Sequence, residues 1–345
     1  MTTLLDEDLV RWLDEHADAL DADPALAGAL FARLGASGLF GQPAPAALHV
    51  VAALAGHSLA AAFVYWAQRA VIACVQASPN RALAQRLLPA LLDGRLAGAP
   101  GLSNAMKFLG GLDRLHIRHQ AVEAGFRLDG GLAWATNLRA ADAGFVALVA
   151  AAGADDEVAL FAVPHDAPGV TRTPDLDLLG LRASNTAGLR LEQAALGEEW
   201  LLHGQARALL PAVRPVFVGL QCGLGLGLAR ASLRAARQAP GAAHPLLAGE
   251  IGALEEQVDA GLGTLADGLA DGSLRARPAE LLALRIAMVE VAARATRLEL
   301  QAQGGRAWLR GGGEAGARRR READFLPLVT PTLPHLKAEL ARLAS

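Results

Sequence analysis

Apolar residues recur at helical spacing through the first part of the chain, from about residue 5 to residue 95. Three groups of turn-forming residues interrupt the pattern, at Asp23-Pro24, Gly41-Gln42-Pro43 and Ser78-Pro79-Asn80. A 3.6-residue period with such breaks predicts consecutive helices joined by short turns. We therefore predict an all-helical first region.

The middle of the chain, between about residues 98 and 200, consists of short alternating runs of apolar and polar residues. Residues 126–128 lead into Asp129-Gly130-Gly131, and the alternation resumes over residues 132–134. Because Asp-Gly accepts the positive φ angles of a tight turn, we predict a hairpin centred on this tripeptide.

A second hairpin is predicted from the next alternating runs. Residues 145–150 and 158–163 are apolar, and a polar turn at Gly153-Ala154-Asp155-Asp156 separates them. Leu189 and Leu191 mark a later strand. The middle region is therefore predicted to be a β domain.

Helical periodicity returns beyond Gln205 and is broken at Ala239-Pro240-Gly241, Asp271-Gly272 and Gly311-Gly312-Gly313. This segregation of helices and strands predicts the α+β class and argues against a doubly wound sheet, in which the two alternate. We place the domain limits at 1–97 (helical), 98–203 (β) and 204–345 (helical).

The sequence Gly223-Leu224-Gly225-Leu226-Gly227 superficially resembles a dinucleotide-binding fingerprint. It lies within a helical stretch, follows no strand and lacks the third-glycine spacing of that motif. We interpret these glycines as sites of close helix packing.

Composition excludes several classes of function. The 345 residues are 52% hydrophobic and carry a net charge of -3, which gives no electrostatic reason to expect nucleic acid as a partner. The most apolar stretch, residues 49–75, contains His57, Gln68 and Arg69, which are costly in lipid, so we expect no membrane span. The acidic first residues lack the features of a secretion signal, and two cysteines in apolar surroundings favour a reduced, cytoplasmic compartment.

The histidines of the middle region give no metal site. His116 and His119 alternate with Ile117 and Arg118, and no third ligand lies at a suitable spacing. We expect these two side chains to form a solvated face.

The segment Arg321 to Thr332 carries the most informative resemblance. It is similar, without a gap, to the segment of acyl-CoA dehydrogenases in which an Arg-Asp-Ala run precedes a Glu-Gly-Thr triplet containing the catalytic base. Thr330 occupies the position of that Glu. The chain thus resembles a flavoprotein family while lacking its base.

Other segments resemble the same family in collinear order. They are Leu87-Leu88-Pro89 with Asp93-Gly94, residues 126–130 with Trp134-Ala135-Thr136-Asn137, residues 179–186, Arg214-Pro215, and Gln301-Ala302-Gln303-Gly304-Gly305. The resemblance implies an N-terminal α-helical domain, a middle β-barrel-like domain and a C-terminal four-helix bundle. It also implies FAD between the last two domains, and a homodimer or homotetramer.

Site residues follow from this resemblance. Trp134 and Thr136 are expected to pack beside the flavin, while Gln301, Gly304 and Gly305 are expected to contact FAD from the partner subunit. Arg214 and Thr332 are also predicted to bind the cofactor. Thr330 is predicted to offer its backbone N–H to the substrate carbonyl.

The chain departs from the family's pattern at three places. The Thr-Glu-Pro-Gly loop is replaced by residues 102–107, in which Ser103 keeps a hydroxyl for the flavin. The stretch that commonly reaches the FAD pyrophosphate is shortened to residues 238–245, which removes part of the phosphate clamp. The alternative position for the Glu base, just before Arg214, is Val213.

Three hypotheses follow. We favour an FAD-dependent oxidoreductase of fatty-acid metabolism that acts on the CH-CH group of an acyl-CoA or related thioester, with electron-transfer flavoprotein as its partner. Its base must come from elsewhere, because a threonine hydroxyl is too weakly basic; Glu322 and Asp324 are the nearest carboxylates. The alternatives are a flavin-dependent monooxygenase that uses reduced flavin, and a non-catalytic paralogue subunit.

Overall fold

The computed structural model describes residues 4–139, 144–154, 157–240 and 243–344. Side-chain caps begin several helices of the first region; Ser58, for example, accepts a hydrogen bond from the Ala61 N–H at 3.3 Å. The helices are α1 (Glu7–Ala22), α2 (Ala27–Ala36), α3 (Ala44–Ala55), α4 (Leu59–Ala77) and α5 (Arg81–Leu92). All three predicted breaks lie between helices, so the helical prediction for this region is confirmed.

The strands of the middle region form one sheet in the order β6-β7-β3-β2-β4-β5-β8, and β1 pairs in parallel with β4. They are β1 (Ala97–Pro100), β2 (Ile117–Val122), β3 (Gly125–Ala135), β4 (Phe145–Ala152), β5 (Val158–Pro164), β6 (Val170–Asp175), β7 (Ala187–Leu196) and β8 (Leu201–His203). A short helix, α6 (Ser103–Leu109), follows β1 and includes most of the residues that replace the family's Thr-Glu-Pro-Gly loop.

The predicted turn at Asp129-Gly130-Gly131 is wrong. Strand β3 runs through these residues and shifts register against β7 between Leu128 and Gly130. Gly130 has φ 124°, and a Cβ there would lie 2.2 Å from the carbonyl oxygen of His116, the residue just before β2. The glycine therefore serves a bulge and a close backbone approach rather than a turn.

The other strand predictions are confirmed. Strands β4 and β5 form the second hairpin, with Ala147 opposite Val163, and Leu189 and Leu191 lie in β7. Of the predicted turn between β4 and β5, Asp155 and Asp156 lie outside the described residues.

Helices fill the rest of the chain, and the predicted breaks again fall between them. They are α7 (Ala206–Gln238), α8 (Ala243–Ala270), α9 (Pro278–Gln303), α10 (Glu314–Phe325) and α11 (Leu333–Ala344). Strands lie between two helical regions, as the α+β prediction requires.

The glycines of α7 are packing sites, as the sequence indicated. A Cβ on Gly227 would lie 2.0 Å from the Ala52 carbonyl oxygen of α3, and one on Gly225 would lie 2.8 Å from the Met288 carbonyl oxygen of α9. Helices α3 and α9 therefore approach α7 so closely that only glycine fits at Gly227 and Gly225 without a shift of the backbone.

Helices α4 and α7 are long and apolar enough to cross a membrane by length and composition. In their most apolar windows, however, 89% and 78% of the residues are buried inside the fold. The two helices contact each other and α3. Their apolar surface is thus covered by the protein itself.

The expectation of a solvated face holds for His116, which is exposed, but not for His119. The His119 ring packs edge-on against Phe126 and Phe161, with centroid distances of 5.9 and 5.2 Å. Desolvation lowers its pKa. Residue 119 shares the inward-facing side of β2 with the buried Ile117, which explains the difference.

Candidate functional site

A cavity of about 330 Å³ lies where the ends of β3 and β7 meet α4, α6, α7 and the segment after α10. That volume is within the range of small-molecule sites. The lining residues are Phe63, Trp66, Pro100, Ser103, Lys107, Trp134, Ala135, Thr136, Leu178, Leu181, Ser184, Thr186, Phe217, Phe325, Leu328, Val329, Thr330 and Thr332.

Five predicted site residues from three separate parts of the chain meet in this cavity. They are Ser103, Trp134, Thr136, Thr330 and Thr332. Trp134 is 58% exposed although it sits beside a cavity, so a large part of its ring is free for a ligand. The fold therefore assembles residues whose proximity the chain order alone does not show.

Aromatic side chains form one apolar wall of the cavity. Phe63 stacks on Trp66 with ring centroids 5.2 Å apart, and Trp66 meets Phe217 edge-on at 5.0 Å. Phe325 meets Phe63 edge-on at 5.3 Å. The Trp66 indole N–H donates to the Phe217 carbonyl at 2.9 Å, which joins α4 to α7 and fixes this wall.

Hydroxyl groups line the cavity where β3 ends and β7 begins. Thr136 Oγ1 lies 3.3 Å from Thr186 Oγ1, which lies 2.8 Å from Ser184 Oγ. A hydroxyl can donate and accept, so this row suits a ligand edge with mixed hydrogen-bonding groups. Ser184 and Thr186 belong to the segment that resembles the flavoprotein family, although the sequence did not single them out.

Asn137, which directly follows Thr136, is not among the residues that line the cavity. It is buried at φ 65°, and its amide donates to Gln68 Oε1 and to the Gly98 carbonyl, both at 3.1 Å. Gln68 Oε1 also accepts from the Gly98 N–H at 2.6 Å. Asn137 therefore ties the end of β3 to α4 and β1, which positions Thr136.

Polar side chains of α6, α7 and α9 hold the segment from Leu326 to Thr330 at both ends. Ser103 Oγ donates to Thr330 Oγ1 at 2.9 Å, and Gln221 Nε2 donates to the Thr330 carbonyl at 2.9 Å. Arg285 donates to Gln221 Oε1 at 3.3 Å and to the Leu326 carbonyl at 3.0 Å. Desolvation lowers the pKa of this fully buried guanidinium. Residues 326–330 are thus fixed against α7 and α9.

Glu322 and Asp324, the nearest carboxylates in sequence, do not line the cavity. Glu322 is buried, pairs with Arg318 at 3.0 Å and accepts from the Leu59 N–H at 3.2 Å. Burial raises its pKa. Asp324 is exposed. Neither is placed to take a proton from a molecule in the cavity.

Arg214, which is predicted to contact the cofactor, is not among the residues that line this cavity. Its guanidinium forms two hydrogen bonds to Glu339, at 2.7 and 2.5 Å. This pairing joins α7 to α11. A contact between Arg214 and the cofactor stays a prediction.

Gln301, Gly304 and Gly305 lie on the surface at the end of α9, away from the cavity lining. Gly304 has φ 56° and ends the helix. Their predicted contact is one made from a partner subunit, and it stays a prediction. The shortened stretch at 238–245 includes Gly241 and Ala242, which lie outside the described residues.

Lys107 is the one charged side chain among the described residues that line the cavity. Nearby, His335 Nδ1 lies 2.8 Å from Thr332 Oγ1. Desolvation and the charge of Lys107 lower the pKa of His335, while Asp113 opposes them. Sequence reasoning missed Lys107 because it lies on α6, in the segment that departs from the family.

No protein-family model matches the sequence, and no match is found among curated proteins. Solved structures do match it over nearly its full length. KijD3 in complex with dTDP has a TM-score of 0.80 and 18% identity, covering 98% of this chain and 94% of that one. Butyryl-CoA dehydrogenase from Megasphaera elsdenii has a TM-score of 0.77 and 19% identity, with coverage of 98% and 94%. The chain has the acyl-CoA dehydrogenase fold.

A monooxygenase shares this fold with the dehydrogenase. Dibenzothiophene monooxygenase (TdsC) from Paenibacillus sp. A11-2 matches with a TM-score of 0.79 and 16% identity, covering 98% of this chain and 95% of that one. Because all three identities are below 20%, the acyl-CoA dehydrogenase fold is what these similarities establish, and the reaction must be argued from the cavity.

Proposed function

We propose that this protein is a flavin-dependent oxidoreductase that binds the isoalloxazine ring of FAD in the cavity. The observation that carries the proposal is the meeting of Trp134, Thr136 and Thr330 in one cavity of about 330 Å³. An exposed tryptophan face suits a planar ring, and the hydroxyl row from Thr136 to Ser184 suits its polar edge. A structure of KijD3, which shares the fold, contains FMN.

A bound flavin supplies hydride acceptance or, once reduced, reaction with dioxygen. The chain's own residues decide which reaction it can assist. Abstraction of a carbon-bound proton needs a base within hydrogen-bond reach, and no carboxylate or imidazole is among the described residues that line the cavity. This lining favours monooxygenation with externally reduced flavin.

Dehydrogenation of an acyl thioester is the second candidate. Thr330 lines the cavity as the resemblance requires, although it carries a hydroxyl in place of the expected carboxylate. In that case electron-transfer flavoprotein would be the electron acceptor. A non-catalytic paralogue, the third hypothesis, would leave the cavity without flavin.

Replacing Thr330 with Glu tests the choice between the two reactions. We expect wild-type protein loaded with FAD to stay oxidised when mixed anaerobically with butyryl-CoA. Thr330→Glu restores a base at this wall and should accelerate flavin bleaching by about a hundredfold or more. The matched Thr330→Gln, of similar size without a carboxylate, should show no gain.

Two outcomes of this experiment would contradict either the proposed monooxygenation or the placement of Thr330 at the position of the catalytic Glu. Rapid bleaching of the wild-type flavin by butyryl-CoA would favour dehydrogenation and a base from another position. Bound flavin without any gain in Thr330→Glu would contradict the alignment of Thr330 with the catalytic Glu.

A homodimer or homotetramer in the cytoplasm is part of the proposal. Cys74 and Cys222 are buried free thiols, and burial raises the pKa of each to about 12. Neither thiol is suited to nucleophilic chemistry.

The limits 1–97, 98–203 and 204–345 remain our proposal for the domains of this protein.

A further inference from the structure

The cavity lining combines the ammonium group of Lys107 and several hydroxyl groups with a large aromatic surface. We infer that Lys107 binds an anionic group of the substrate, and that the substrate is an apolar, ring-containing molecule with one carboxylate, sulfonate or phosphate. The inference rests on the proposed function, because it assumes that flavin and substrate share this cavity.

Lys107 has no ion-pair partner within the described part of the chain. Asp113, a carboxyl group whose pKa is lowered by the charge of Lys107 among other causes, lies 3.4 Å from His116 Nε2 and accepts a hydrogen bond from Asn104 at 3.2 Å. His335, the other titratable group beside Lys107, has a lowered pKa, which favours its neutral form. An ammonium at the edge of an apolar cavity is best stabilised by an anion that enters the cavity.

Ser103, Thr330 and Thr332 add hydroxyl groups to the cavity that Lys107 lines. Ser103 donates to Thr330 Oγ1, so the Thr330 hydroxyl keeps its own proton for another acceptor. Thr332, held by His335, lines the same cavity. An anion beside Lys107 can therefore receive hydrogen bonds from a hydroxyl as well as from the ammonium.

The rest of the lining defines the other half of the ligand. Phe63, Trp66, Phe217 and Phe325 present aromatic surface, which suits an aromatic or alicyclic body. A phosphate on the flavin side chain could also meet a lysine. We assign Lys107 to the substrate because it lies one helical turn after Ser103, whose hydroxyl donates to Thr330. The resemblance places Thr330 beside the substrate.

The test uses 2-naphthoate and 2-naphthamide, which are matched in size and differ in charge. Calorimetric titration at pH 7 of the full-length protein, with and without FAD, gives both affinities. We expect wild-type protein to prefer the naphthoate by about tenfold or more. Lys107→Met should bind both compounds alike, whereas Lys337→Met, which changes the only other lysine, at an exposed site, should keep the preference.

Several results would overturn the inference. They are equal affinity of the wild type for both compounds, binding of neither compound, and an unchanged preference in Lys107→Met. Loss of a preference for FMN over riboflavin in Lys107→Met, with the naphthoate preference intact, would assign the lysine to the cofactor instead. If flavin fails to bind but Lys107 still sets the naphthoate preference, the proposed function fails while the anion site stands.

Discussion

Glu322→Ala is expected to lower the free energy of unfolding by about 3 to 5 kcal/mol. The carboxylate is 1% exposed, pairs with Arg318 and caps the Leu59 N–H at the start of α4. Removing it leaves the Arg318 guanidinium, which is 8% exposed, without its buried partner and with only the exposed Asp18 as an ion-pair partner. Urea unfolding followed by far-ultraviolet circular dichroism measures the change.

Two further variants distinguish this structural role from catalysis. Asp324→Ala alters an exposed carboxylate two residues away and should change the free energy of unfolding by about 0.5 kcal/mol or less. Glu322→Gln keeps the side-chain shape and should fold with flavin bound. If Glu322→Ala were as stable as Asp324→Ala, or if Glu322→Gln kept its flavin but lost all turnover, the structural assignment of Glu322 would be wrong.

Gly227→Ala is expected to destabilise the protein by about 3 kcal/mol. The added Cβ would lie 2.0 Å from the Ala52 carbonyl oxygen and 2.8 Å from the Ala55 Cβ. The first of these neighbours is backbone, so relief requires α3 and α7 to move apart rather than one side chain to rotate. Urea unfolding again gives the change.

Gly263→Ala is the matched control on α8. A Cβ there meets nothing within 4 Å, and the residue is exposed. Because alanine favours the helix over glycine, this variant should be more stable by about 0.5 to 1 kcal/mol. If Gly227→Ala and Gly263→Ala changed the free energy of unfolding equally, the close contact between α3 and α7 at Gly227 would be contradicted.

Periodicity and turn residues predicted most of the fold. The breaks near Pro24, Pro43 and Pro79 coincide with helix ends, because proline lacks an N–H and disfavours a helical conformation at the residue before it. Proline alone does not decide this, since Pro89, Pro211 and Pro215 lie within α5 and α7. Asp129-Gly130-Gly131 misled the prediction, because glycine serves bulges as well as turns. Whether a bulge or a turn forms here depends on the pairing of β3 with β7, which lies far away in sequence.

The candidate site could be predicted only in part. The resemblance identified Trp134, Thr136 and Thr330 because it covered their segments. It did not predict the hydrogen bond of Asn137 to Gln68 or the ion pair of Arg214 with Glu339. Gln68 and Glu339 lie on helices that are distant in sequence from these residues. The sequence did not predict that Lys107 and the aromatic wall line the same cavity, because this depends on the packing of α4, α6 and α7 against one another.

Flavin titration of the purified protein tests the central claim most directly. We expect added FAD to give a protein-bound flavin spectrum, and Trp134→Ala to weaken its affinity by about tenfold. Trp200→Ala, a tryptophan outside the cavity lining, should bind like wild type. Absence of a bound flavin spectrum in wild type, or equal affinity of Trp134→Ala and wild type, would contradict a flavin site in this cavity.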